Sequence, residues 1–219
     1  MSRWITTVTR KIETLATTQE VIYKLAQSYY FDVIQKEVIL ANLNKDDHIL
    51  CIGGGICPFT AILFHTITDA KVTVIDNDIL CIPKAQNIIA RFGLTKHIQV
   101  LHQDGRSKDF SFQPFTVVHF ALQVSPMESV FSWVEQQVNT HTKLLLRRPK
   151  KQLKELYQPL QNTLLQNCPF TLHQGSRNIA RTLLYIKSEE TYEKQSKTLI
   201  SMDFDAISDS VSHNYPVAV

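Results

Sequence analysis

The chain has 219 residues, of which 44% are hydrophobic and 20% charged, with a formal net charge of +3. That is enough for one α/β domain with a sizeable core and modest extensions. It excludes a membrane span, since no apolar run reaches the roughly 18 residues one requires, and so small a net charge does not by itself point to nucleic acid.

Residues 1–15 lack the apolar core of a signal peptide, so a cytoplasmic protein is expected. The four cysteines, Cys51, Cys57, Cys81 and Cys168, form no C-x-x-C pair and read as small apolar core residues. His65, His97, His102 and His119 show no metal-ligand spacing, and no metal is expected.

In chain order, residues 10–28 carry apolar positions on a 3.6 period (Ile12, Leu15, Val21, Ile22, Leu25), and a second helix is expected from Tyr30 to Ala41. Together they form a small helical cap over residues 1–45. The aromatic cluster Tyr29-Tyr30-Phe31 falls at the junction of the two helices. It reads either as a core group or as a source of a functional hydroxyl.

The apolar run Ile49 to Ile52 then breaks into Gly53, Gly54 and Gly55. A segment of helical spacing follows Pro58, and a β-branched run from Lys71 to Ile75 ends on Asp76, Asn77 and Asp78. Strand, glycine turn, helix, strand and acid are the first half of a nucleotide-binding βαβ unit. A glycine turn lets backbone approach a ligand closely, and an acid at the next strand end can accept the hydroxyls of a ribose. Pro58 stands where the dinucleotide fingerprint wants a small residue, and no Lys-Ser or Lys-Thr pair follows the glycines. A nucleoside without phosphates fits better, and S-adenosylmethionine is the expected cofactor.

The turn from Cys51 to Ala61 resembles the glycine-triplet turn of nicotianamine synthases. Tyr29-Tyr30-Phe31, Arg147-Arg148, Leu156-Tyr157-x-Pro159 and Arg177-Asn178 are also similar, over roughly residues 25–187. The resemblance implies a Rossmann-like three-layer α/β/α class I methyltransferase fold of about seven strands, in which the aminocarboxypropyl arm of S-adenosylmethionine is transferred. It implies a catalytic role for one of Tyr29 and Tyr30; Glu13 or Glu20 of the cap are candidate partners for taking the acceptor's proton. Two departures stand out: Ile56 replaces the family's proline after the glycines, and the region ahead of the tyrosines is much shorter than the family's N-terminal domain.

Further along, a helix from Ile79 to Phe92 ends at Gly93, a good residue just past a helix end. A short strand from Ile98 to Leu101 leads to Gln103-Asp104-Gly105, and the resemblance makes Asp104 the acid for the adenine amino group. Phe115 to Leu122 reads as an inner parallel strand. It ends at Ala121 and Gln123 with no N-P-P-Y sequence, which argues against methylation of nucleobase or glutamine amino groups. Met127 to Val138 is a helix, and Lys143 to Leu146 is a strand that delivers Arg147 and Arg148 to the ligand edge. An arginine there can fork onto a carboxylate, or the basic run 147–154 is simply solvated.

Phe170–Leu172 and Thr182–Ile186 are expected as a final antiparallel pair. The domain is expected to span 46–187. The acidic tail, 188–219, with its apolar patch Leu199, Ile200, Met202 and Phe204, reads as flexible or docking. The expected cofactor contacts are Gly53, Gly54, Gly55, Asp76, Asn77, Asp104, Gly105 and Ala121; the expected substrate contacts are Gln123, Arg147 and Tyr157. The expected function is an S-adenosylmethionine-dependent transferase acting on a small amine- and carboxylate-bearing acceptor. The alternatives are methyl transfer, to a small molecule or less favourably to tRNA, and a non-catalytic S-adenosylmethionine-binding partner protein. A small-molecule acceptor is the expected partner, a homodimer is compatible, and neither nucleic acid nor a membrane is expected.

Overall fold

A computed structural model describes residues 20–157 and 165–188, with backbone alone for 20–29 and 154–156. The helices are α1 (Glu20–Ala41), α2 (Phe59–Thr68), α3 (Ile82–Arg91) and α4 (Met127–Gln137). The strands are β1 (His48–Ile52), β2 (Lys71–Asp76), β3 (Ile98–His102), β4 (Val117–Phe120), β5 (Lys143–Pro149), β6 (Phe170–Leu172) and β7 (Ile179–Ile186). They form one sheet in the order β3-β2-β1-β4-β5-β7-β6. Strands β1 to β5 run parallel, and β7 is antiparallel to both β5 and β6. This is the Rossmann-like arrangement of class I methyltransferases, with the strand order reversing at β1, where ligands bind in open α/β sheets.

Period-two alternation splits the core in two. Ile49, Cys51, Val72, Val74, Val117 and Leu145 face helices α1, α2 and α3. Leu50, Ile52, Ile75, Phe120, Leu144, Leu146 and Leu183 face α4. The β3–β4 connection adds Phe112 and Phe115 to the α4 side, where Phe110 meets Phe112 edge-on at 5.1 Å. Helix α4 and this aromatic loop together seal that face.

The two expected N-terminal helices are one over the described residues. α1 runs unbroken through Tyr29, Tyr30 and Phe31, because nothing between Glu20 and Ala41 is Gly or Pro. Residues 10–19 and the tail from 189 lie outside the described residues. The strand expected from Phe115 is shorter, Val117–Phe120, and β5 extends past Leu146 to Pro149, so Arg147 and Arg148 are strand residues. No helix among the described residues is long and apolar enough to cross a membrane.

Candidate ligand cleft and the buried ion pair beside it

At the carboxyl ends of β1, β2 and β3 lies a cleft of about 220 Å³. Its floor is Ile52, Ile75 and Val130, and its rim is Gly53, Gly55, Asp76, Asn77, Asp78, Gln103, Asp104, Gly105, Arg106, Gln123, Val124 and Ser125. The glycine turn shapes one wall. Gly53 and Gly55 hold φ of +84° and +61°, the left-handed region that side chains disfavour. Gly54 does not line the cleft; it is seated on β2, where an added Cβ would stand 2.1 Å from Val74 Cγ1.

Asp76 locks this turn. Its Oδ2 accepts the Gly55 N–H at 2.7 Å and its Oδ1 accepts the Asp78 N–H at 2.9 Å. An ionised carboxylate has about four acceptor positions, and Asp76 lines the cleft beside the turn it holds. Asp104 on the opposite rim is gripped by Arg106, whose Nε and Nη2 donate at 3.2 and 3.1 Å. Those side-chain hydrogen bonds outweigh the opposing effect of burial and, with the Arg106 backbone N–H and charge, hold the Asp104 carboxyl below its usual value. The sequence pattern did not single out Arg106, although its place two residues after Asp104 is the available signal.

Seven of the expected residues therefore meet at one cleft: Gly53, Gly55, Asp76, Asn77, Asp104, Gly105 and Gln123. Ala121 lies beneath the turn, 3.4 Å from where a Gly53 Cβ would stand. Tyr157 is buried at the end of the 3-10 turn Lys151–Leu156, and burial pushes its hydroxyl pKa up. The side chain of Tyr29 is outside the described residues. Tyr30 is half-buried on the other face of the sheet, stacked on Phe59 at 6.2 Å and 5.9 Å from the Arg147 guanidinium. None of Ala121, Tyr157, Tyr30 or Arg147 is among the residues lining this cleft.

Arg147 does form a fork onto a carboxylate, but the carboxylate is internal. Its Nε donates to Glu37 Oε1 at 2.8 Å and its Nη2 to Oε2 at 2.9 Å, while Nη1 reaches Thr60 Oγ1 at 3.1 Å. Both partners are buried. Thr182 donates to Glu37 Oε1 at 2.6 Å, and its Oγ1 stands 2.8 Å from His173 Nε2. With the hydroxyl proton committed to Glu37, His173 must carry its proton on Nε2. His119 Nε2 stands 3.6 Å from Glu37 Oε2, farther than a hydrogen bond. Neither ring nitrogen of His119 finds a hydrogen-bond partner among the described atoms.

The electrostatics follow from burial. Burial alone would raise the Glu37 carboxyl, but the Arg147 guanidinium, then His119, outweigh it and hold the group well below the usual carboxylate range. Burial, then the Arg147 charge, keeps His119 below its ordinary value, so the imidazole is neutral near pH 7. Burial pushes the Cys51 thiol beside this pair up to about 12, which leaves it an inert core residue. The cluster ties α1 to β5, β7 and the first turn of α2, at the exit of the glycine turn. Among the described residues no three His, Cys, Asp or Glu side chains gather as a metal site would need.

Strand order and cleft together define a class I methyltransferase-type fold. No protein-family model matches the sequence, and no curated protein matches it. Solved structures do match. A point variant of the nicotianamine synthase MtNAS in complex with S-adenosylmethionine superposes with a TM-score of 0.72 at 18% identity, over 85% of this chain and 76% of that one. MtNAS in complex with MTA and tNA gives 0.68 at 20% identity, over 80% and 69%. An RNA methyltransferase from Salinibacter ruber in complex with S-adenosyl-L-homocysteine gives 0.57 at 14% identity, over 72% and 92%. At these identities the likeness is one of fold.

Proposed function

We propose that this protein is an S-adenosylmethionine-dependent transferase acting on a small acceptor with an amine and a carboxylate, and that it transfers the aminobutanoyl arm as nicotianamine synthases do. The observation that carries the cofactor assignment is the pairing of the bare Gly53–Gly55 wall with Asp76 at the end of β2, both on one cleft at the switch point. Asp76 would accept the ribose hydroxyls, Asn77 and Asp104 would border the adenine, and the backbone at Gly53 would border the amino-acid end. No residue of α2 lines the cleft, so it presents no helix N-terminus there for a pyrophosphate. The likeness in fold to MtNAS with S-adenosylmethionine bound supports the same reading.

When bound, S-adenosylmethionine supplies an electrophilic carbon next to its sulfonium. The protein aligns the acceptor amine with that carbon and removes its proton. Gln123, at the cleft's β4 side, is the neutral hydrogen-bonding group for the acceptor. Tyr30, which the sequence offered as proton acceptor, does not line the cleft; held by Phe59 and Arg147 at the start of α2, it supports the glycine turn from the other face, and the amine proton goes to another group. Arg147 serves through Glu37, by anchoring α1 and with it Tyr30.

The test is product analysis with S-adenosylmethionine and a panel of amino acids and amines. Methylthioadenosine as by-product is the expected result. S-adenosylhomocysteine would mean methyl transfer instead, and S-adenosylmethionine binding with neither by-product across the panel would favour a non-catalytic binder.

A further inference from the structure

Asp104 and Arg106 meet on the cleft rim because of the loop that carries them. The Gln103 N–H donates to the Asp76 carbonyl at 3.0 Å, which seats the chain after β3 on the end of β2. A turn follows at once, closed by the Ser107 N–H on the Asp104 carbonyl at 3.0 Å. Inside it the Arg106 N–H donates to Asp104 Oδ1 at 2.8 Å, the arrangement in which an aspartate side chain bonds the backbone two residues on. Gly105, in the turn, rests on the cleft floor, where an added Cβ would stand 2.9 Å from Val130 Cγ1 and 3.2 Å from Ile52 Cγ2. The turn is therefore held against the floor, and Asp104 and Arg106 on either side of Gly105 both line the cleft.

The fork between the two side chains is used unevenly. Oδ1 takes two donors, the Arg106 backbone N–H and Nε, while Oδ2 takes Nη2 alone, at 3.1 Å. A carboxylate oxygen offers about two acceptor positions, so one remains on Oδ2. A guanidinium carries five N–H groups, and Arg106 Nη1 has no hydrogen-bond partner among the described residues. Their mutual side-chain hydrogen bonds, the largest influence on each group, move the Asp104 pKa down and the Arg106 pKa up. Both groups stay charged across the neutral range. The rim thus holds an acceptor oxygen and guanidinium donors side by side, in a geometry fixed before any ligand arrives.

We infer that Arg106 is a specificity-determining residue that reads, together with Asp104, the hydrogen-bonding edge of a base in the cleft. Asp104 Oδ2 takes one amino N–H, and the Arg106 guanidinium donates to the ring nitrogen beside it. The edge that fits is an exocyclic amino group next to an unprotonated ring nitrogen, a pattern shared by adenine and cytosine. The choice of adenine between them rests on the transferase reading above. Hypoxanthine reverses the pattern and sets a carbonyl oxygen against the carboxylate. Guanine offers two neighbouring N–H groups and needs both carboxylate oxygens, but Oδ1 is already filled by Arg106. Asp104 alone would accept either kind of N–H. Arg106 both fixes the carboxylate and supplies the donor half of the pattern. Paired contacts of this kind discriminate between bases by about ten- to a hundredfold.

The experiment is a calorimetric titration of the wild type, Arg106→Met and Arg106→Lys with the free nucleosides adenosine, inosine, guanosine and cytidine. S-adenosylmethionine is titrated in parallel. Arg106 is exposed, so both variants keep the fold, and a thermal melt without ligand checks that they do. The expected wild-type preference for adenosine over inosine and guanosine is at least tenfold. In Arg106→Met, adenosine binding weakens about tenfold and its preference over inosine shrinks to threefold or less, while Arg106→Lys restores part of both. A merely structural role for Arg106 would weaken all the nucleosides alike, so an unchanged adenosine-to-inosine ratio in Arg106→Met overturns the inference. A wild type that binds no nucleoside, or binds inosine or guanosine as tightly as adenosine, overturns it too. A preference for cytidine, or adenosine binding with the Arg106 dependence but no affinity for S-adenosylmethionine, supports the Asp104–Arg106 edge and sinks the transferase reading alone.

Discussion

Arg147 and Glu37 show what a single strand position decides. In β5 the two consecutive arginines fall on opposite faces, and the one that alternation turns toward the α1 side needs a buried counter-charge. Glu37 supplies it from 110 residues away. Replacing a buried ion pair by apolar residues is often neutral, whereas removing one partner leaves a charge with no compensation. Glu37→Leu should therefore cost about 3–5 kcal/mol in urea unfolding, while Glu37→Leu with Arg147→Met should recover most of that loss. A double variant as unstable as the single one would refute the pairing argument. The same cluster sets an acid limit. His119 and His173 have folded pKa values below the ordinary 6.5, so the stability they contribute is full above about pH 6.5 and is lost as pH falls through their folded values. Glu37, also depressed, adds a loss that begins only near its ordinary value of 4.5 and deepens below it. Wild-type stability should fall in two stages on acidification, with the second stage missing in the double variant.

Elements are set by how local rules meet long-range packing. The turn between β1 and α2 works because Gly54 can lie directly on Val74 of β2, with no room for a methyl group at 2.1 Å from Cγ1. Gly54→Ala should destabilise by about 1–3 kcal/mol as overpacking does, and Gly54→Ala with Val74→Ala should regain part of this in thermal unfolding. No rescue by the smaller partner would locate the strain elsewhere. This turn, the strands around it and the meeting of seven candidate residues at one cleft were legible in the sequence. They follow from short-range signals: an apolar β-branched run, glycines, and acids at strand ends. The continuity of α1 through Tyr29 and Tyr30 was not read correctly, because an aromatic cluster looks like a junction unless the absence of Gly and Pro is given priority. The Glu37–Arg147 fork was out of reach for a different reason. Pairing α1 with β5, and Thr182 of β7 with both, is decided by the order in which the strands enter the sheet. The available hint was Arg147 alternating with Leu145 on an apolar face, which reads as a charge in need of a partner without saying which one. Arg106 closing on Asp104 was local and could have been found.

For the whole molecule, the cleft is assembled from the ends of β1, β2 and β3 and the loops after β3 and β4, so a ligand held there bridges segments that unfolding separates. A ligand that binds only the folded state stabilises it by mass action, by about 2.7 kcal/mol at a hundredfold excess over Kd. For a domain of this size that corresponds to a rise of roughly 5–10 °C in Tm. On the proposed function, S-adenosylmethionine should produce this shift in a thermal melt, and ATP, which needs an anion cradle that the start of α2 does not offer, should not. Asp76→Ala separates the two jobs of that carboxylate. Losing the bonds from the Gly55 and Asp78 N–H groups should lower the Tm without ligand, since each unmet hydrogen bond costs about 1–3 kcal/mol where water cannot replace it. Losing the ribose contact should abolish the ligand-induced rise as well. A variant with a lower starting Tm but an undiminished shift would show that Asp76 serves only the turn, and would move the ribose contact to another residue of the rim.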